Sequence, residues 1–255
     1  MPSRPFRQTV LITGASSGLG AEMARQLAAL GHDLALCARR TPKLEALRAE
    51  ILAAHPERRV ELRALDVTDH DQVVEVFGAF RDDFGSIDRV IVNAGLGKGA
   101  AIGTGQPAAN RETVMTNVVG ALSQCEAAME IFRAQDGGHL VMVSSMSALR
   151  GMPKALTTYA ATKAFVGHLA EGLRTELHGR PGYRVTVLYP GYIISEMNDH
   201  AKPTTPLMAT TEKGVRSMVA AIEKEVGSAC VPRLPWQALA PVMRHAPLPV
   251  FKKMV

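Results

Sequence analysis

Residues 9–20 read Thr-Val-Leu-Ile-Thr-Gly-Ala-Ser-Ser-Gly-Leu-Gly. An apolar, β-branched run enters a turn with three glycines, and a helical pattern follows from Gly18 to about residue 30, where Gly31 stops it. Glycine at Gly14, Gly18 and Gly20 allows unusual backbone angles, close approach of the chain to an anion, and tight packing of helix on strand. The helix N-terminus, with Ser16, Ser17 and Leu19 beside the glycines, offers unpaired N–H groups to a phosphate. A glycine cluster alone is weak. Placed between a strand and a helix, it reads as a pyrophosphate cradle.

The same alternation extends outward. Strands are predicted over residues 8–13, 33–38, 60–65, 88–93, 139–144, 183–188 and 229–231. Helices are predicted over 18–30, from Thr41 as N-cap with Pro42 in the first turn, from Thr68 or Asp69 to 84, over 110–134, 158–178 and 211–225. Most strands are continuous apolar runs, which marks a parallel sheet covered on both faces. The fold class is therefore α/β: a doubly wound Rossmann-type sheet in one domain over residues 1–231, with a loop for substrate at about 192–210. From Pro232 to the end the composition shifts to prolines, Trp236 and basic residues.

The second strand decides which dinucleotide is expected. A ribose 2′-hydroxyl is usually read by an acid about 20 residues beyond the turn, and a 2′-phosphate by a cation. Here the strand ends Cys37-Ala38-Arg39-Arg40 with no acid after it. Arg39, with Arg40 as a second candidate and a hydroxyl from Ser16 or Ser17, fits a phosphate. NADP(H) is the expected cofactor.

Tyr159 and Lys163 stand four residues apart at the start of a predicted helix, so they share a face. A free phenol has a pKa of about 10, and an adjacent ammonium is expected to lower it into the range of acid–base work. Upstream, the fifth strand ends Val143-Ser144-Ser145, and ligands bind at carboxyl ends of parallel strands. A hydroxyl there can hold a carbonyl oxygen as charge develops. Ser145 is the candidate, with Ser144 and Ser147 as turn-forming competitors.

On these residues the chain resembles the short-chain dehydrogenases/reductases. The match runs through TGASSGLG, Asp66-Val67, Asn93-Ala94-Gly95, Asn117, Ser145, Tyr159, Lys163 and Pro190-Gly191-Tyr192-Ile193-Ile194-Ser195. The resemblance implies an enzyme moving hydride between NADP(H) and a carbonyl or alcohol. It implies that Asp66 and Val67 contact the adenine and that Asn93, Ala94 and Gly95 line the cofactor floor. Lys163 would bond the nicotinamide ribose, Asn117 would anchor a water relaying protons to Lys163, and Pro190, Gly191, Ile193 and Ser195 would close over the nicotinamide amide. The Ser145-to-Tyr159 spacing is one residue longer than the family's usual one, and Ser195 stands where threonine is common.

Composition bounds the rest. The chain is 47% hydrophobic and 21% charged, with net charge +5, and lacks the basic–aromatic runs of a nucleic-acid binder. Three scattered cysteines give no disulfide or zinc framework, and neither a signal peptide nor a run of roughly 18 apolar residues is seen, so a cytoplasmic protein is expected. The segment 232–255 could lie on an anionic membrane, cover the substrate cleft or pack between subunits. Met146, Met152, Met197 and Met208 hint at an apolar cleft and a lipophilic substrate, long-chain, steroid-like or 3-oxoacyl. The resemblance suggests a homodimer or homotetramer. Two other readings compete: a nucleotide-sugar epimerase or dehydratase, which usually carries a longer C-terminal part, and a non-catalytic dinucleotide sensor.

Overall fold

The computed structural model describes residues 7–194 and 207–254. Seven parallel strands form one sheet in the order β3-β2-β1-β4-β5-β6-β7. They are β1 (Thr9–Thr13), β2 (Asp33–Ala38), β3 (Val60–Ala64), β4 (Arg89–Val92), β5 (Gly138–Val143), β6 (Tyr183–Pro190) and β7 (Ser228–Val231). β1, β4 and β5 are buried at every position, as their unbroken apolar runs require of strands covered on both faces.

Helices α1 (Gly18–Ala29), α2 (Thr41–Ala54) and α7 (Thr211–Glu223) cover one face through Met23, Leu27, Leu44, Ile51, Val215 and Met218. Helices α3 (His70–Phe84), α5 (Ala121–Ala134) and α6 (Leu156–Glu176) cover the other through Phe77, Phe80, Phe132 and Val166. β1 pairs with β2 on one side and β4 on the other, so the strand order reverses there. That reversal opens a crevice at the carboxyl ends of β1 and β4, where such sheets bind ligands.

Two local expectations are corrected, and one choice between caps is decided. Thr41 is the first helical residue of α2 and Arg40 is the N-cap, because the Arg40 carbonyl accepts from Lys43 N at 3.1 Å. Asp69, and not Thr68, caps α3, accepting from Gln72 N at 3.1 Å. The single helix expected over 110–134 is three pieces: α4 (Pro107–Val114), a π-helical stretch at Met115–Gly120, and α5. Beyond β7 the proline-broken tail forms α8 (Arg233–His245) and α9 (Leu248–Met254). No described helix is long and apolar enough to cross a membrane.

Candidate active site

The glycine turn is built for close approach. Gly14 has φ +63, a conformation that disfavours a side chain, and a Cβ there would lie 2.8 Å from Ala94 Cα. A Cβ on Gly20 would meet the Gly14 carbonyl at 2.4 Å. Thr13 ties this turn to the end of β4: its Oγ1 accepts from the backbone N–H groups of Asn93 and Ala94, both at 3.1 Å. Asn93 Nδ2 returns a bond to Thr13 O at 3.0 Å. Asn93 and Ala94 are thus locked under the turn, and Ser17 stands at the α1 N-cap without a side-chain cap of its own.

The two arginines part company. Arg40 donates to Ser17 Oγ at 2.5 Å and to Ser16 Oγ at 3.2 and 3.3 Å, spanning the mouth of the glycine turn. Arg39 is exposed, and its nearest carboxylate is Asp66 at 3.9 Å. Asp66 itself forms a turn, its Oδ1 accepting from Thr68 N at 3.0 Å and Thr68 Oγ1 at 2.8 Å. Buried Val67 packs on the π-helical stretch, where a Cβ on Gly120 would lie 2.8 Å from the Val67 carbonyl.

That stretch carries Asn117, which is 1% exposed. π-helical turns are rare and concentrate at functional sites. Asn117 Oδ1 accepts from Leu96 N at 2.8 Å, while Nδ2 donates to Leu96 O at 2.9 Å and to Thr162 Oγ1 at 3.1 Å. The amide side chain is therefore engaged in holding the loop after Gly95 against α6.

α6 presents Tyr159 and Lys163 to the end of β5. Lys163 is 5% exposed, its Nζ donates to Val143 O at 2.9 Å, and burial pushes its pKa down to about 8. The phenol of half-buried Tyr159 is walled in, and that desolvation raises its pKa, opposed by a hydrogen bond with Ser145. The expectation that Lys163 pulls the phenol down is corrected here. The ammonium is directed to a backbone carbonyl, 5.9 Å from the Tyr159 ring centroid, and Ser145 is the group that favours the phenolate.

The serines sort by partner. Ser144 is buried and donates to the Lys163 carbonyl at 2.6 Å, which makes it a brace for α6. Ser145 starts a 3₁₀ turn (Met146–Leu149), accepts from Ser147 Oγ at 2.9 Å and meets Tyr159. Gly95 lies between these groups: a Cβ there would sit 3.2 Å from both Lys163 Nζ and Asn117 Oδ1. Ser145, Tyr159, Lys163, Gly95 and Asn117 thus converge, whereas Arg40, Ser16 and Ser17 gather at the glycine turn and Arg39 with Asp66 beside it.

Beyond β6, Gly191 N donates to Val231 O at 2.9 Å, and buried Ile193 bridges to Ala209. Ser195 and Met197 lie outside the described residues. Met146 and Met152 are buried, Met152 against Ala160 and Phe251.

Sequence reasoning missed Thr13, Ser144, Thr162 and Gly120 as parts of the frame. Only Gly120 left a signal, as a lone glycine inside a helical pattern.

The pattern of the short chain dehydrogenase family matches residues 8–206. An uncharacterized oxidoreductase of Mycobacterium tuberculosis (strain H37Rv) is 52% identical over 237 residues, 93% of each chain. The crystal structure of levodione reductase superposes with TM-score 0.82 at 26% identity, covering 92% of this chain and 100% of that one. A short-chain dehydrogenase from Sphingobium yanoikuyae in complex with NADPH gives TM-score 0.81 at 28% identity, covering 93% and 94%. The chain belongs to the short-chain dehydrogenases/reductases: it is an oxidoreductase whose Rossmann fold binds a nicotinamide dinucleotide.

Proposed function

We propose that the protein is an NADP(H)-dependent reductase or dehydrogenase of carbonyls and secondary alcohols, with Tyr159 as proton donor and acceptor. The observation that carries this reading is the gathering of Tyr159, Ser145 and Lys163 at the end of β5, with Gly95 in close approach to the Lys163 ammonium. The glycine turn and Gly95 fit the dinucleotide, since a Cβ at Gly14, Gly20 or Gly95 would fill the floor. When bound, the dinucleotide supplies or accepts the hydride.

The protein's own groups handle the proton. Ser145 Oγ holds the substrate oxygen, and Tyr159 Oη gives it a proton in reduction or takes one in oxidation. Lys163, poised near neutrality by burial, reaches the ribose and exchanges protons with the relay that resupplies Tyr159. Asn117 keeps the Gly95–Leu96 loop and α6 in register, so that a water at its backbone can relay protons to Lys163. Asp66 and Val67 flank the adenine, while Pro190, Gly191 and Ile193 face the nicotinamide end.

Preference for the 2′-phosphate rests on Arg40 with Ser16 and Ser17, assisted by Arg39. A phosphate would take over the donors that Arg40 now gives the two hydroxyls. A lipophilic substrate is supported by exposed Ile102, Leu156, Tyr192, Ile194 and Leu207 on segments leaving the carboxyl ends of β4, β5 and β6. Exposed Val114, Met115, Val119 and Leu122 support a homodimer or homotetramer, which light scattering would read directly. Two buried, unpaired cysteines, Cys37 and Cys125, accord with the cytoplasm. The outer face of α8 and α9 shows Val242, Leu248 and Val250 beside Arg244, Lys252 and Lys253, which supports peripheral contact with anionic lipid. Leu248→Ser with Val250→Ser should reduce co-sedimentation with anionic liposomes; unchanged sedimentation removes that contact.

The deciding assay is a panel of ketones, from short polar to long-chain and steroidal, followed at the absorbance of reduced nicotinamide. NADPH-dependent turnover rising with apolar length supports the reading. Activity equal with NADH, and unaffected by Arg40→Ala, would assign the 2′ position elsewhere.

A further inference from the structure

The chain has one tryptophan, Trp236, and it lies in the tail segment that family motifs do not reach. It is 4% exposed. Its indole rests directly on Gly191: a Cβ there would fall 2.0 Å from Trp236 Cε2 and 2.1 Å from Nε1. Glycine is therefore the one residue that lets the ring sit on this backbone. Tyr192, the next residue, meets the indole edge-on, ring centroids 5.5 Å apart and planes at 70°. The Nε1 has no hydrogen-bond partner among the described residues, so packing and not a polar contact fixes the ring.

The segment under the indole is held beyond Tyr192 by the burial of Ile193 and by Thr211 Oγ1, which donates to Ile194 O at 2.6 Å. Gly191 N bonds Val231 O, and Tyr192 O and Ile194 N bond Ala209. The segment leaves the carboxyl end of β6, beside the end of β5 that carries Ser144 and Ser145. The tail is anchored at a second point as well. Phe251 is buried with Met152 and Ala160, the Arg150 guanidinium stands 4.8 Å over its ring, and Arg150 donates to Ala246 O. Arg150 and Met152 belong to the loop between Ser145 and Tyr159. Helices α8 and α9 thus clamp both segments that flank the catalytic groups.

We infer that Trp236 is a positioning residue for the nicotinamide half of the dinucleotide, acting through the Gly191–Tyr192 backbone on which it is stacked. The inference rests on the cofactor reading above. It separates the two halves of the ligand: the adenosine half is held by Arg40, Ser16 and the glycine turn, far along the sheet edge, and owes nothing to Trp236.

The test compares NADP⁺ with 2′,5′-ADP, which carries the adenosine half alone, by calorimetry on wild type, Trp236→Leu and Trp236→Phe. Trp236→Leu should weaken NADP⁺ at least tenfold and leave 2′,5′-ADP within twofold. Trp236→Phe, which keeps a flat ring without the N–H, should recover most of the loss and keeps the test open if the leucine variant does not fold. The wild-type emission, arising from this one indole, should shift with NADP⁺ more than with 2′,5′-ADP. Wild type that binds neither ligand overturns the cofactor reading and this inference with it. Wild type that binds both, in company with variants whose two affinities stay level or fall together, overturns this inference alone.

Discussion

The two ends of the sheet both bury charge, and they treat it differently. At the amino ends, Arg89 on β4, His139 on β5 and Arg184 on β6 are neighbours in register. Arg89 is 1% exposed; it donates to His139 Nδ1 at 2.9 Å and to Glu223 at 2.5 Å. An arginine can only donate, so His139 Nδ1 accepts, and its Nε2–H turns to Thr186 Oγ1 at 2.9 Å. Glu225 meets Arg7 at 3.0 Å and Arg184 at 3.6 Å. Each buried charge here has an opposite charge. At the carboxyl ends, buried Lys163 has a backbone carbonyl at Val143 and Tyr159 has a serine hydroxyl. A carbonyl dipole compensates an ammonium less than a carboxylate does, and the pKa of Lys163 falls to about 8. Burial lowers the pKa of Arg89 as well, opposed there by Glu223 and Glu225; paired charge at one end holds the strands together, and a buried charge with no carboxylate at the other is kept for chemistry.

The contrast breaks if the amino-end network is dispensable. Arg89→Ala should lower stability by about 3–5 kcal/mol in urea unfolding, since it takes the buried cation from Glu223, leaving that carboxylate His32 at 3.3 Å, and takes the donor from His139 Nδ1. Dinucleotide affinity of the remaining folded protein should not change. At the other end, Ser145→Ala should slow turnover roughly 10²–10³-fold, read at saturating substrate, with little change in melting temperature.

Lys163 sharpens the comparison through its sign. The unfolded chain holds this proton up to its ordinary value of 10.5, and the folded chain releases it at about 8. Between those values the unfolded state binds more protons, so stability climbs as pH rises through the window and carries the full penalty below it. Lys163→Met should therefore stabilise the protein at pH 7 by up to about 3 kcal/mol while removing activity, and should flatten the climb. A melting temperature below wild type at pH 7 would place Lys163 with the stabilising charges. The smallest effect belongs to Ser144→Ala, which removes the brace to the Lys163 carbonyl and should cost about 1 kcal/mol, with turnover kept within a few-fold.

Much of this was legible in the chain because it is local. Continuous apolar strands announced a covered parallel sheet, and the residues after Thr13 announced the turn. What escaped depends on contacts between distant segments. Residues 110–134 carry one helical periodicity, and the π-helical stretch accompanies a close approach of Gly120 to the Val67 carbonyl, invisible locally. Arg39 and Arg40 are equivalent as a doublet, and only the path of the chain sets Arg40 across Ser16 and Ser17. Ser144 and Ser145 are adjacent just beyond β5, and only the docking of α6 gives one the Lys163 carbonyl and the other Tyr159. Pro235, Pro241 and Pro249 hid the tail helices, whose packing comes from Trp236 and Phe251. Lys163 deceived most: spacing put it on the Tyr159 face, but its ammonium is drawn to Val143.

The central claim is tested most directly by Tyr159→Phe, measured in two ways on one preparation. NADPH binding by calorimetry should stay within a few-fold of wild type, while ketone reduction falls by a factor of roughly 10³ or more, beyond recovery at any pH. Reduction by the phenylalanine variant at a rate near that of wild type would contradict the account, because the proton would then come from another group.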